Sequence, residues 1–473
     1  MFGPKILHSM LHQARLVLVL LAVAVLVKGA APASAATVLP ASASAPAASR
    51  ETPSIAATGY FTARYVFRSA ETASAEHFRD QDVFGELRMD VTAPRSGRYE
   101  FHFLGAVRAD LDNNQNVMSY DPLEDIGNTV THRYLGNVYE AHLDINNVTK
   151  NITQVRLGRQ AGTRDEAIFF DGIAADVRVM PKVNMTFYGG AAVHFYEIDW
   201  KEGDDFLGGA GIDYTLSAWT GMSFDYLSVS DKRNYLTFTN QKDNLLSFRL
   251  WQRFSQNVKA TAKVRYQDGE TRDLALRLLG AFPDSGAEVG AVYFRQFSTQ
   301  EQQTNELSPF TDVMGPSYPY QAVDLKLRKL FGSRYAVDVG YYHRSVLDSS
   351  NVGSFNRNYG RASAAFTITD FVFTNLSFMV AGDSWSSDSN DSSSLSGDLT
   401  YAFKRSGRAS IGTYYSLYKY DNTYQLEEHD RVRTYYVSAK LPLMNQFSVN
   451  GSYELEKGLD TYHVMKAGIR YDF

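Results

Sequence analysis

Apolar and polar residues alternate along most of the chain, and the pattern is most regular in its last stretch, TYHVMKAGIRYDF. One face of this stretch is apolar and consists of Met465, Ala467, Ile469, Tyr471 and Phe473. The other face carries Lys466, Arg470 and Asp472. A period of two predicts a β-strand with one apolar and one polar face. Because chain ends usually fray, this strand favours a closed barrel in which the last strand pairs with the first.

The same alternation recurs from residue 59 onwards in segments of about ten residues, separated by turn formers. The segments are 59–68, 82–93, 98–110, 133–146, 152–162, 171–180, 184–197, 205–216, 219–230, 244–254, 257–267, 270–280, 286–297, 320–330, 334–346, 357–367, 371–382, 395–404, 408–420, 431–441, 446–456 and 461–473. The pattern predicts an all-β fold, a transmembrane antiparallel up-and-down β-barrel of about 22 strands, with 20–24 as the range. The closing strand is expected to pair with residues 60–68.

Connections between the segments alternate in length. Short connections rich in Gly, Pro and Ser follow even-numbered segments, as at 93–97, 181–183, 331–333 and 405–407. Long polar connections follow odd-numbered segments, at 111–132, 231–243, 298–319, 347–356 and 383–394. Outer-membrane barrels have short periplasmic turns and longer outer loops. The alternation therefore predicts an integral outer-membrane protein with both termini in the periplasm. Loops 111–132 and 298–319 either fold inward and narrow a pore or lie on the surface.

Charged residues occupy one face of many segments, as in KATAKVRY (259–266) and VDLKLRK (323–329). A charge on the lipid face costs about 2–4 kcal/mol near the midplane, so the charged rows are expected to face a hydrated lumen. They serve either as cross-strand ion pairs or as a channel lining that sets ion preference. The residues expected to line the pore are Arg249, Arg253, Lys259, Lys263, Arg265, Arg277, Arg88, Glu86, Asp324, Lys326 and Arg328.

The N-terminus has the pattern of a secretion signal. Lys5 and Arg15 precede the apolar run LVLVLLAVAVLV, and small residues follow at 31–36. We therefore assign residues 1–35 to a signal peptide, 36–58 to a flexible periplasmic lead-in and 59–473 to the barrel. The lead-in is too short for a plug domain inside the barrel.

Composition narrows the possible functions. The chain has 473 residues, a formal net charge of -5 and no cysteine. The charge argues against nucleic acid as a partner, and the lack of cysteine excludes disulfides, thiolate metal sites and covalent haem attachment. His102, His142 and His194 fall on the polar face, where a single histidine per strand is usually part of the lining. No catalytic or cofactor motif is found, so we expect neither an enzyme nor a cofactor.

The last strand, with Ile469, Tyr471 and Phe473, resembles the C-terminal signal that the barrel-assembly machinery of Gram-negative bacteria reads. The motifs VRLGRQ (155–160) and FFDG (169–172) resemble porin sequences. This resemblance implies a water-filled channel for passive diffusion of small polar or ionic solutes, with outer-membrane lipid as its surroundings. The size and strand count are also similar to the barrel component of porin-cytochrome conduits. That likeness implies the alternative function, a structural barrel that sheathes a multihaem c-type cytochrome in an electron conduit.

Overall fold

The computed structural model describes residues 56–72, 75–93, 97–112, 123, 134–162, 168–193, 205–231, 241–299, 318–348, 356–387, 391–421, 427–458 and 460–473. The proposed signal peptide, most of the lead-in, His194 and most of the two longest loops lie outside these residues. Among the described residues, no helix has the length and apolar character needed to cross a membrane.

The described chain forms 22 strands, β1 to β22, each close to a predicted segment. Their bounds are β1 Ala56–Glu71, β2 His77–Thr92, β3 Tyr99–Asp110, β4 Tyr134–Asn146, β5 Ile152–Ala161, β6 Phe169–Met180, β7 Val183–Ala192, β8 Phe206–Thr215, β9 Thr220–Asp231, β10 Gln241–Arg253, β11 Val258–Gln267, β12 Glu270–Phe282, β13 Ala287–Gln296, β14 Tyr320–Phe331, β15 Tyr335–Val346, β16 Tyr359–Ile368, β17 Leu376–Ser387, β18 Asp391–Ala402, β19 Arg408–Asp421, β20 Glu427–Met444, β21 Phe447–Lys457 and β22 Thr461–Asp472. The predicted all-β fold is therefore confirmed, and the described residues include no plug domain.

The strands form one closed antiparallel sheet. Each strand pairs with the next along the chain, and β22 pairs with β1 in a register that runs from Tyr60 opposite Asp472 to Glu71 opposite Thr461. Closure removes both sheet edges, as a barrel in lipid requires. We call the end of the barrel that carries Ala56 and Asp472 the terminal rim, and the opposite end, where β1 meets β2, the loop rim.

One loop-rim connection differs from the prediction. Residues 383–394 were expected to form a long polar loop, yet most of them belong to β17 and β18, where Asp383 lies opposite Ser394. A strand that extends beyond the part of the wall in contact with lipid needs no apolar face, so a Ser-rich run can form one.

The connection between β11 and β12 consists of only Asp268 and Gly269, as the predicted segments imply, and these residues have positive φ angles of 50° and 87°. Positive φ at both central residues matches the tight hairpin turn that an Asp-Gly pair favours.

The two faces of the wall differ in chemistry. On β12 and β14 the exposed side chains include Leu276, Leu278, Leu325 and Leu327. Arg277 and Lys326 alternate with them and therefore lie on the opposite face. Exposed apolar side chains recur around the barrel and form a band suited to lipid, which places the charged rows on the inside.

Candidate channel lining

A row of five basic residues lies on the inner wall of β10, β11 and β12. We call it the basic row: Arg249, Arg253, Lys259, Lys263 and Arg277. Arg249 lies directly opposite Lys263, and Arg253 directly opposite Lys259. Arg277 lies opposite Thr261 on one side and Val292 on the other. The register thus places two pairs of basic residues side by side and puts Arg277 between neutral residues.

An aromatic ring supports the part of the row that lies near the terminal rim. The Trp251 side chain contacts two members, with the Arg253 guanidinium carbon 6.0 Å and the Lys259 Nζ 5.5 Å from its ring centre. Contacts of this kind between a cation and an aromatic face stabilise the charge by about 0.5–1 kcal/mol where water is present. The ring therefore holds two like charges side by side without a carboxylate between them.

The predicted lining residues outside the row are held by acids. Arg265 forms a two-pronged ion pair with Asp273, with nitrogen–oxygen distances of 2.8 and 2.7 Å. Lys326 Nζ lies 2.8 Å from an Asp324 oxygen on the same strand. Arg328 lies 3.7 Å from Asp338 on β15. Two of these ion pairs, Arg265 with Asp273 and Arg328 with Asp338, join neighbouring strands. Cross-strand ion pairs, one of the two roles that the sequence allowed for the charged rows, are therefore present beside the basic row.

Glu86 and Arg88 lie on β2, across the barrel from the basic row in strand order. The Tyr60 hydroxyl donates a hydrogen bond of 2.7 Å to Glu86, and Arg88 lies 3.2 Å from Asp90. The guanidinium of Arg470, on the closing strand, lies 4.0 Å from the Tyr60 ring centre. These two predicted residues therefore belong to a mixed polar network and are far from the other nine.

A concave space of about 970 Å³ shows which face is the lumen. It is bounded by nine consecutive strands, β10 to β18, and is lined by Arg253, Lys259, Lys326 and Arg328, among others. Side chains from nine neighbouring strands can border one concavity only on the inside of a curved wall. The structure thus brings four predicted lining residues to one side of the lumen.

A buried ion-pair network lies on the inner wall near the loop rim. Asp82 is fully buried and accepts from Arg68 at 2.6 Å and from Arg108 at 3.0 Å. Arg68 also contacts Asp80 at 2.7 Å. Removing one partner of a buried charged set leaves a charge without compensation, which costs about 3–5 kcal/mol. The network therefore joins β1, β2 and β3 at this rim.

Asp112 follows β3 at the loop rim, beyond the last strand residue. Burial raises the pKa of Asp112 to about 7, and a hydrogen bond with Asp110 and the negative charge of Asp80 add to this increase. This acid therefore holds its proton to higher pH than an ordinary aspartate does.

An apolar cluster on the inner wall was not predicted. Leu207 is fully buried, although it alternates with the exposed Phe206 and thus lies on the lumen side. It packs with residues from β6 to β10, namely Ile168, Phe170, Ala192, Leu227, Val229 and Leu245. The alternation of faces along β8, β9 and β10 places Leu207, Leu227 and Leu245 on the inner face, so this cluster could have been predicted from the sequence. It was missed because most of the other residues that define the inner face are charged.

The lumen is wide. Twenty-two strands spaced about 4.8 Å apart and tilted by about 40° give a circumference of roughly 140 Å, or a circular wall about 44 Å across between backbones. Side chains narrow this space. Barrels of this strand number are commonly filled by a plug in outer-membrane transporters.

Comparison with known proteins gives the fold only. No family model matches the sequence, and no curated protein matches it. The solved translocation pore of the P pilus usher PapC matches with a TM-score of 0.50 and 8% identity, over 87% of this chain and 99% of that one. The chain is a closed β-barrel of the outer-membrane type.

Other solved barrels align over similar lengths with lower scores. OpdQ of Pseudomonas aeruginosa gives a TM-score of 0.42 at 11% identity, over 89% of this chain and 97% of that one. OccAB1 of Acinetobacter baumannii gives 0.38 at 10% identity, over 88% and 97%.

Proposed function

We propose that this barrel is an outer-membrane porin through which small polar or ionic solutes diffuse. The exposure of charged groups on the inner wall carries the proposal. The side chains of Lys326 and Arg328 lie on the lumen face and are 73% and 53% exposed. A charge in a packed apolar interior would be costly, so such exposure requires water in the lumen.

The basic row gives this channel a weak preference for anions. Five basic side chains on three adjacent strands, of which Arg253, Lys259 and Arg277 are exposed, attract anions that pass close to the wall. At physiological ionic strength the field of a charge decays over about 8 Å, which is much less than the width of the lumen. The row therefore biases solutes near β10 to β12 and leaves the rest of the lumen unselective.

Swelling of liposomes tests diffusion directly. The purified barrel is placed in vesicles, and small sugars are added outside at equal osmolarity. We expect rapid swelling with the smallest sugars and slower swelling as their size increases. Vesicles that hold folded barrel yet swell no faster than empty vesicles would contradict the proposal.

The lumen width supports a second candidate function. A wall about 44 Å across, with no plug among the described residues, has room for a multihaem cytochrome. The chain has no cysteine, so covalently attached haem would belong to such a partner. Native purification in mild detergent separates the two functions. A sheath would bring a haem protein with it at a fixed ratio, and a porin would not.

Orientation is part of the proposal, with both termini in the periplasm and the loop rim outside. The absence of cysteine makes this simple to test. A maleimide coupled to a protein too large to pass through the lumen, added to intact cells, should label Asp268→Cys at the loop-rim turn. It should leave Arg334→Cys, in a terminal-rim turn, unlabelled until the outer membrane is opened. The reverse pattern would overturn the orientation.

We also propose that the barrel-assembly machinery reads the apolar face of β22, which includes Ile469, Tyr471 and Phe473. The rings of Tyr471 and Phe473 stack with their centres 6.0 Å apart, and this stack gives a compact aromatic feature next to the strand end. Phe473→Ala should slow assembly in cells while leaving the conductance of inserted barrels unchanged. Normal assembly with impaired conductance would contradict this role.

A further inference from the structure

Two neighbouring strands present facing polar pairs on the inner wall near the terminal rim. His102 on β3 lies directly opposite His142 on β4, and Glu100 lies directly opposite Asp144. The imidazole rings stack with centres 4.8 Å apart. Alternation puts residues i and i+2 on one face, so the four side chains form a two-by-two patch. Patches of imidazole and carboxylate groups are typical ligands of first-row divalent metals.

The hydrogen bonds of both histidines fix where each ring carries its proton. His142 Nδ1 lies 3.2 Å from the backbone oxygen of Arg159, which can only accept. His102 Nδ1 lies 2.6 Å from an Asp90 carboxylate oxygen. Each Nδ1 therefore carries a proton, and in the neutral ring each Nε2 holds a lone pair. Metal-binding histidines are oriented in this way, with the other ring nitrogen donating to a carbonyl or carboxylate.

Both Nε2 atoms are directed at one carboxylate. His102 Nε2 lies 3.7 Å from Asp144 Oδ2, and His142 Nε2 lies 3.7 Å from Asp144 Oδ1. One ligand atom from each of these residues lies within 4.8 Å of the others. Bonds of about 2.0–2.2 Å to tetrahedral zinc separate ligand atoms by about 3.4 Å. The two distances to Asp144 exceed this value by a few tenths of an ångström, and the upper limit of 4.8 Å for the set exceeds it by about 1.4 Å, so the histidine rings have to turn towards the ion.

We propose that His102, His142 and Asp144 bind zinc or a similar first-row divalent cation. Glu100 is placed to be a fourth ligand, because its Oε2 lies 3.8 Å from His102 Nε2. Nitrogen and oxygen donors in this mixture favour zinc over calcium and magnesium, which take oxygen alone. The ion also replaces an unfavourable arrangement, in which neutral imidazole lone pairs face a carboxylate.

The surroundings hold the ligands and leave one side open. Arg156 donates to both Asp144 oxygens, at 2.7 Å to Oδ1 and 3.0 Å to Oδ2, and Gln154 donates to Oδ2 at 2.8 Å. These bonds fix the carboxylate and leave a lone pair of Oδ1 for the ion. The side chains of His142 and Asp144 are 7% and 3% exposed, while His102 is half-buried at 23%. A hydrated ion would therefore enter from the lumen past His102. The Arg156 charge weakens the site, and the carboxylates of Asp90 and Glu100 offset it.

Metal titration of the full-length barrel, purified without a histidine tag, tests the site. After chelator treatment, we expect the wild type to bind one zinc per chain and to give the visible spectrum of low-symmetry cobalt when cobalt replaces zinc. His102→Gln should bind zinc at least about tenfold more weakly and lose the cobalt spectrum. A wild-type barrel that binds no zinc at micromolar concentrations would overturn the proposal.

A matched control separates this site from adventitious binding. His463→Gln removes a histidine of β22 that contacts Tyr453, and it should leave zinc binding unchanged. The folded fraction of each variant is read from its heat-modifiable migration in detergent gels. If folded His102→Gln and His142→Gln both bind zinc as tightly as the wild type does, the ion lies elsewhere and the proposal is wrong.

Discussion

Gly59 and Phe473 exchange two backbone hydrogen bonds, each of 3.0 Å, and so extend the seam between the first and last strands to the terminal rim. The Phe473 ring also lies over Gly59. A Cβ atom at Gly59 would lie 2.9 Å from this ring and 2.1 Å from the Arg88 backbone oxygen. The last residue of the chain is thus packed into the closure, and the position opposite it has room for hydrogen only.

This packing predicts that Gly59→Val weakens closure. The added side chain has to displace backbone, so we expect the free energy of unfolding to fall by about 3 kcal/mol. The measurement is urea unfolding in detergent micelles, followed by tryptophan fluorescence. Gly136→Val is the matched control, because a Cβ at Gly136 meets nothing within 4 Å. Equal effects of the two substitutions would contradict the importance of this contact.

The buried ion-pair network predicts a second difference in stability. Asp82→Asn leaves Arg68 and Arg108 without the carboxylate that they share, and we expect a loss of about 3 kcal/mol. Asp472→Asn is the control, because Asp472 is half exposed where it pairs with Arg470. An exposed pair of this kind contributes about 0–1 kcal/mol. The same unfolding assay compares both variants, and a harmless Asp82→Asn would show that water replaces the network.

Asp112 predicts a dependence of stability on pH. Its pKa of about 7 in the folded barrel lies above the ordinary value of 3.8, so the folded state holds this proton to higher pH than the unfolded state does. The stability that Asp112 contributes is therefore lost as pH rises from about 4 to 7. Asp112→Asn should remove part of this fall in the urea midpoint. The exposed Asp284→Asn should keep it, and an unchanged profile in Asp112→Asn would contradict the assignment.

Strand number and face were predictable because a barrel wall in lipid repeats one simple constraint. Every spanning segment needs one apolar face, and Leu276 and Leu278 beside Arg277 show that constraint directly. This constraint applies only to the part of the wall that contacts lipid. Residues 383–387 and 391–394 lie beyond that part, so their strand pairing, as between Asp383 and Ser394, could not be predicted from an apolar face.

The facing histidines could be predicted only in part. Parity put His102 and His142 on the inner face, but their direct opposition depends on the register between β3 and β4. A long connection joins these strands, and a bulge between Leu104 and Gly105 shifts their pairing. Neither the course of the long connection nor the position of the bulge can be predicted from the alternation of apolar and polar residues. The basic row was easier to predict, because the alternation within each strand already places its members on the polar face, and a bulge that shifts the register of β11 and β12 near Arg265 does not change that face.

The basic row predicts the sign of ion selectivity. In a salt gradient across a planar bilayer, the wild type should give a reversal potential that indicates a modest preference for chloride over potassium. Replacing Arg249, Lys263 and Arg277 with Gln should shift this potential towards the cation side. The control replaces three basic residues of terminal-rim turns, Lys182, Arg334 and Lys404, with Gln. An equal shift in the control would show that selectivity does not come from the row.

Single-channel recording of the purified barrel tests the hydrated lumen most directly. The chain is inserted alone into a planar lipid bilayer, with no other protein present, and current is measured against voltage. The exposed charges on the inner wall predict discrete, ohmic conductance steps that scale with salt concentration. Folded barrels that insert and never conduct would contradict an open, water-filled lumen.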